Sequence, residues 1–463
     1  MIPRLSHLVP ALGLAAAFAV APVPVLAQSQ PFERPAQGPR LHFRGKEIFL
    51  SGANLAWFKY ARDFGGQSPA DRKAFADFFR DLRANGANCA RIWVHTDGSA
   101  SPQWDSQGRV SGLAPGFLDD MGAVLDSARA SGILVLFSIW SERLKNDHHE
   151  LITDTAKTRA YLDNALKPMV QRFRGHPALV AWEVLNEPEG MTQAWGWKDA
   201  HAQTDWRMPV PDIQRFLNRM AGAVHRWAPG QLVTAGSWGF FGSTDIALQG
   251  EGSNWWPGPN RNLYADDRLI AAGGDSLGTL DFYQVHFYDQ SFPTILSPFA
   301  NPVSHWQLDK PVLVGEFPSF GLRYREPKLT IEQAFEAAYQ GGYAGALTWQ
   351  YNPQDSGYTG WWGQARAGAK ALRDAHPGLI DPARFPEKPV ALRAWEDVRG
   401  RSGLTGSAGR TEGSGLPRLR MEGGVPVLDY GKAAVRAGDG RAIGVVRAPA
   451  AGAAEGTLQR PMR

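Results

Sequence analysis

Two glutamates stand where a carboxylate faces a cleft more often than a core. Glu187 ends the run Val180 to Pro188, apolar and β-rich except for Glu183, with Asn186 beside it and Pro188 stopping any further strand pairing. Glu316 ends a second such run, Val312 to Glu316. Two carboxyls brought to one cleft suit glycosidic bond cleavage, one giving a proton to the leaving oxygen and the other acting as nucleophile or base. That chemistry needs one of them protonated while its partner is ionised, a difference that surroundings can impose. Arg91 and Tyr288 are candidate hydrogen-bond donors to Glu316, which would lower its pKa and make it the anion.

The elements that must position this pair recur as a short apolar strand followed by a helical stretch. The expected strands are Ile48 to Asn54, Cys89 to His95, Ile133 to Trp140, Leu179 to Leu185, Leu232 to Ser237, Phe282 to Tyr288, Val312 to Glu316 and Ala346 to Trp349. The expected helices are Ala70 to Ala84, Pro115 to Ser131, Asp154 to Arg174, Pro211 to Trp227, Ala265 to Ala272, Pro302 to Leu308, Ile331 to Gln340 and Gly363 to Ala375. Strands apolar on both faces and joined through helices imply a covered parallel sheet, and eight such units close into an α/β (β/α)8 TIM barrel. An open doubly wound sheet is the fallback. It would want a glycine-rich phosphate turn after its first strand, and Ser51-Gly52-Ala53-Asn54 is not one. In a barrel, the C-terminal ends of all strands reach one mouth. Asn54, Trp57, Arg91, His95, Trp140, Glu142, Asn186, Glu187, Ser237, Trp238, His286, Tyr288, Glu316 and Trp349 are therefore expected there.

Around this barrel, residues 1–27 read as a cleaved signal peptide, with Arg4, the apolar run Ala11 to Val20 and small residues ending at Ala27; a secreted or periplasmic location follows. Residues 28–380 form the expected catalytic barrel, opening on an exposed lead-in, Gln28 to Arg40. Residues 381–463 form an extension expected to be disordered from about residue 400, where Gly, Ala, Ser and Arg dominate without periodicity. The single cysteine, Cys89, has no partner for an intramolecular disulfide and reads as a buried small hydrophobe. The net charge of +4 belongs to the ends, since residues 381–463 hold 14 Lys and Arg against 9 Asp and Glu. The body gives no electrostatic case for nucleic acid binding. His148-His149, flanked by Asp147 and Glu150, lacks metal-ligand spacing and reads as a solvated loop, and no cofactor or metal is expected. His95 and Asp97 are left open between substrate contact and hydrogen bonding within the barrel, while Glu183 and Glu142 read as structural rather than catalytic, with Glu142 able to line the cleft. Of the 17 tryptophans, those in loops after strands (Trp57, Trp195, Trp197, Trp206, Trp255, Trp256, Trp361 and Trp362) could stack on sugar rings or pack.

Asn186-Glu187-Pro188, Glu316, Arg91, His286-Phe287-Tyr288 and Trp349, in this order on these strands, resemble clan A of the glycoside hydrolases and most closely family 5, across Glu47 to Ala375. The resemblance implies that Glu187 is general acid and base and that Glu316 is the nucleophile of a retaining mechanism. It implies that Asn186 donates to the sugar 2-hydroxyl, that Arg91, Tyr288 and His286 form the supporting network, and that Trp349 floors the sugar subsite. Trp57 and Asn54 join the expected substrate-binding set. Many family 5 cellulases carry a histidine near the end of the third strand. Leu134 to Trp140 has none, and with Arg91 to Gly98 it looks closer to the β-mannanases. The expected substrate is therefore a β-1,4-mannan or glucomannan, bound by a monomer that is not inserted in a membrane. A β-1,4-glucanase, a transglycosylase and a non-catalytic carbohydrate-binding barrel are the alternatives.

Overall fold

The computed structural model describes residues 32–33, 40–145, 148–196, 206–250, 260–353, 359–380, 418–422 and 425–429. Eight parallel strands close into a barrel: Leu50–Leu55, Cys89–Thr96, Leu134–Trp140, Leu179–Asn186, Leu232–Ser237, Tyr283–His286, Val312–Pro318 and Gly345–Trp349. Each pairs in parallel with its sequence neighbours, and the eighth closes on the first through Gly345 beside Leu50. Side chains alternate along each strand. On the third strand Leu134 and Leu136 join the cluster inside the barrel, whereas Val135 and Phe137 join the larger cluster beneath the helices.

The helices follow the expected order, including Pro69–Ala84, Phe117–Ser131, Val210–Trp227, Asp266–Gly273, Ile331–Gln340 and Trp362–Ala375. Two depart from expectation. The stretch expected as one helix from Asp154 to Arg174 is Thr155–Tyr161, a π-helical turn Leu162–Leu166 and Lys167–Phe173. Pro168 accounts for the widening, because it has no N–H and its ring would clash with the carbonyl four residues back. The sixth connection holds two 3-10 turns, Thr294–Leu296 and Val303–Trp306, the second standing where a helix from Pro302 to Leu308 was expected.

The N-terminal expectation needs correction. Phe32–Glu33, Leu41–Phe43 and Lys46–Ile48 form a three-stranded antiparallel sheet, so the residues before the first barrel strand are not simply an exposed lead-in. Phe32, Leu41, Phe43 and Ile48 are buried in one cluster with Leu50, Cys89, Leu134, Val180, Leu232, Phe282, Leu313 and Leu347. These apolar residues, at the starts of the barrel strands, form the floor. Cys89 is buried there as expected, and burial pushes its thiol pKa up.

The stretch expected to be a signal peptide, residues 1–27, lies outside the described residues. So does most of the extension, in which Arg418–Glu422 and Val425–Asp429 pair as an antiparallel ribbon. No helix among the described residues is long and apolar enough to cross a membrane.

Candidate active site

Above the apolar floor the inward positions turn polar. Asn54, Arg91, Ser138, Glu183, Gln284, His286 and Glu316 are all buried, and Arg91 is their hub. Its Nε donates to Glu183 Oε2 (2.5 Å) and its Nη2 to Glu183 Oε1 (2.5 Å) and Asn186 Oδ1 (2.6 Å). Its Nη1 donates to Asn54 Oδ1 (2.8 Å) and Glu316 Oε1 (2.6 Å). A guanidinium has five N–H donors, so all are engaged and none is left for a substrate. Glu183 is completed by Ser138 Oγ (3.1 Å) and Gln284 Nε2 (2.9 Å), which makes it the buried counter-ion beneath the site. Burial pulls the proton affinity of Arg91 down, but the Glu183 and Glu316 carboxylates outweigh it and hold the guanidinium charged.

Asn54, expected to bind substrate, is instead consumed inside the barrel. It is fully buried, and its Nδ2 donates to Gly315 O (2.9 Å) and Thr348 O (3.1 Å) while Oδ1 receives Arg91. Its position fixes the hub rather than a ligand. Gly236, on the fifth strand, gives the Glu183 and Gln284 side chains their room. A Cβ there would lie 2.6 Å from Glu183 Oε1 and 2.7 Å from Gln284 Nε2.

The fourth strand ends at Asn186, and Glu187 turns the chain with φ 44° and ψ 49°, a left-handed conformation unusual for a residue with a side chain. Its N–H donates to Gly236 O (2.6 Å) and its carbonyl accepts from Gly190 N (3.0 Å), so the turn is held on both sides. Its Oε1 lies 2.8 Å from His286 Nδ1, and the same nitrogen is 3.5 Å from Glu316 Oε2. Tyr288, just beyond the sixth strand, donates its hydroxyl to Glu316 Oε2 (2.6 Å). One oxygen of each glutamate and a His286 nitrogen lie within 4.8 Å of one another. Three such ligand atoms could geometrically take a cation, although both Glu316 oxygens already receive hydrogen bonds, one from the charged Arg91.

The two carboxyls differ in their surroundings. Burial raises the pKa of Glu187 well above the ordinary range, and the nearby Glu142 and Glu189 charges raise it further. Burial also raises Glu316, contrary to the lowering expected from its donors, but His286, Arg91 and Tyr288 oppose the rise. The expected order survives: Glu187 keeps its proton more tightly. His286 is pushed down to about 4 by burial and is neutral around pH 7.

Trp349 is partly exposed at the end of the eighth strand, edge-on to Trp93 at 5.4 Å, and its peptide bond to Gln350 is cis. Trp57 is partly exposed after the first strand, edge-on to Tyr60 at 4.8 Å. Trp140, expected at the mouth, is instead fully buried against His95. Of the two readings left open for His95, the internal one holds, since it is fully buried with its Nδ1 2.8 Å from Ser101 Oγ and Phe117 and Tyr161 around it. His148 and His149 are buried rather than solvated, stacked on Trp104 (3.8 Å) and Trp206 (4.4 Å) respectively. Trp362 is fully buried, which removes it from any glycan platform, while Trp197, Trp255 and Trp256 lie outside the described residues.

One buried acid went unrecognised in the sequence. Glu189 accepts hydrogen bonds from Ser237 Oγ (2.5 Å), Tyr264 Oη (2.6 Å) and Trp238 N (2.9 Å), tying the turn after Glu187 to the fifth strand. Only its spacing of two residues from Glu187 hinted at a role.

A family model for cellulase, glycosyl hydrolase family 5, matches residues 44–355. The chain is 36% identical over 331 residues to a mannan endo-1,4-beta-mannosidase of Mytilus edulis, covering 67% of this chain and 86% of that protein. It is 35% identical over 337 residues to one of Cryptopygus antarcticus, covering 68% and 84%. Among solved structures, an endo-1,4-beta-mannanase of Eisenia fetida aligns with a TM-score of 0.65 and 34% identity, over 74% of this chain and 96% of that one.

Proposed function

The chain belongs to family 5 of the glycoside hydrolases, and from that membership we propose that it is an endo-acting β-1,4-mannanase working by double displacement through Glu187 and Glu316. The observation that carries the mechanism is the approach of the two carboxyls to within 4.8 Å. That approach of one oxygen from each carboxyl suits retention, for which carboxyls about 5–5.5 Å apart are typical, whereas an inverting enzyme spaces them about 6.5–9.5 Å apart. Glu316 attacks the anomeric carbon as the bond to the leaving oxygen breaks, and Glu187 gives that oxygen its proton. Glu187 then takes a proton from water, whose oxygen displaces Glu316 and restores it. Asn186 donates to the 2-hydroxyl of the reacting sugar, and Trp349 and Trp57 stack on rings along the cleft.

Arg91 and Tyr288 spread the charge of the Glu316 anion, and neutral His286 links the two carboxyls without adding a cation. The preference for mannan rests on the mannan endo-1,4-beta-mannosidases at 35–36% identity. The β-1,4-glucanase reading rests on the description of the family model alone. Product analysis on mannan, glucomannan and carboxymethylcellulose, with the anomer followed by NMR, separates them. Mannan oligosaccharides released first as the β-anomer are expected, and cleavage of cellulose without mannan would overturn the substrate. A secreted or periplasmic monomer completes the proposal, testable by the mature N-terminus and by the mass in solution.

A further inference from the structure

Glu142 follows the third strand at the mouth, its side chain 13% exposed, and no role in the mechanism above falls to it. Its Oε2 accepts from Asn186 Nδ2 (2.8 Å) and Ser141 Oγ (2.8 Å). Ser141 Oγ in turn receives Arg143 N (3.1 Å), which turns the loop back on itself. The opposite end of the Asn186 amide, Oδ1, receives Arg91 Nη2 at 2.6 Å. Asn186 is thus held between a carboxylate and a guanidinium. A flipped amide would set oxygen against the carboxylate and N–H against the guanidinium, losing both bonds. An Asn amide has two N–H donors, and one of these is spent on Glu142.

We propose that Glu142 is a positioning residue that locks the Asn186 amide in the orientation keeping its second N–H for the sugar. This rests on the reading of Asn186 as the sugar donor and Glu187 as the acid. A second consequence follows from charge. The groups around Glu187 are Glu142 and Arg143 from the third-strand loop, Glu189 from its own turn, Arg91 from the second strand, Tyr264 from the connection after the fifth, His286 and Tyr288 at the end of the sixth and Glu316 from the seventh. After burial, Glu142 is the leading influence keeping Glu187 protonated. Removing its charge therefore brings the loss of the Glu187 proton to lower pH.

The test uses Glu142→Gln, Glu142→Ala, Asn186→Ala and the double variant Glu142→Ala/Asn186→Ala of the full-length protein, assayed on soluble mannan across pH. Glutamine keeps an oxygen for Asn186 but no charge. Its kcat/KM at the optimum is expected within about 10-fold of the parent, with the alkaline limb displaced to lower pH. Alanine loses both, and roughly 10- to 100-fold is expected, with kcat affected more than KM. In the Asn186→Ala background, the further loss from Glu142→Ala is expected to shrink to about 3-fold or less, since the lock then has nothing to hold. Equal losses in both backgrounds, or an alkaline limb unmoved in both Glu142 variants, would overturn the proposal. A parent that cleaves glucan but not mannan corrects the substrate alone, and the cycle is then run on that glucan. A parent that cleaves neither overturns the underlying reading instead.

Discussion

At the scale of single residues, the site is an exercise in unequal burial. Glu187 and Glu316 share a barrel mouth, yet Glu316 takes hydrogen bonds from Arg91 and Tyr288 while Glu187 faces two other acids and a neutral imidazole. Replacing Glu316 with alanine removes the nucleophile, and replacing Glu187 removes the proton donor. Each is expected to lower kcat on mannan by at least about 10²- to 10⁴-fold. On an aryl mannoside with a good leaving group, Glu187→Ala should regain the first step, seen as a burst of released phenol, whereas Glu316→Ala should not. The pH profile carries a sign that can be checked. Activity needs Glu316 ionised and Glu187 protonated, so the acid limb reports Glu316 and the alkaline limb Glu187. Both carboxyls are raised. Both limbs of the bell in kcat/KM should therefore lie at higher pH than free glutamates, near about 4.3, would give. A profile already falling at pH 5 would contradict these surroundings. Both glutamates were legible in the sequence because strand ends in a barrel are mouth positions. The raised pKa of Glu316 was not, since burial is a property of the folded whole.

At the scale of elements, each inward position is set by alternation along a strand, and the polar layer is possible because small residues stand opposite large ones. Gly236 is the clearest case, with a Cβ blocked by Glu183, Gln284 and Arg91. Gly236→Ala is expected to destabilise the fold by about 1–3 kcal/mol, the cost of overpacking, and to lower kcat by displacing Arg91 from Glu316. Chemical denaturation together with turnover checks both, and an unchanged midpoint would contradict the packing. The sequence made the strands legible through their apolar runs, to within a few residues. It hid the π turn at Leu162–Leu166 and the burial of His95, Trp140 and Trp362. Period alone does not tell a mouth position from the layer under the helices when the strand bulges, as the second does between Trp93 and Thr96.

At the scale of the whole molecule, the barrel has a polar top and an apolar bottom, and the N-terminal sheet covers the bottom. Leu41→Ala and Phe43→Ala should cost about 2–5 kcal/mol by leaving cavities in that floor, while kcat of the folded enzyme stays near the parent value. Thermal unfolding and turnover, measured together, test this separation of stability from chemistry. The local sequence by itself determined the eight strands, the helices that follow all of them but the sixth, and the two carboxyls with their order along the chain. These depend on periodicity and residue type within short windows. Only the tertiary structure decided that Asn54 serves Arg91 and that Glu183 neutralises it. Closure likewise joined Glu142 to Asn186 and Glu189 to the fifth strand, and sealed the floor with Phe32 and Leu41. Each of these is a contact between segments far apart in the chain, and it exists only once closure of the barrel brings their side chains within bonding distance.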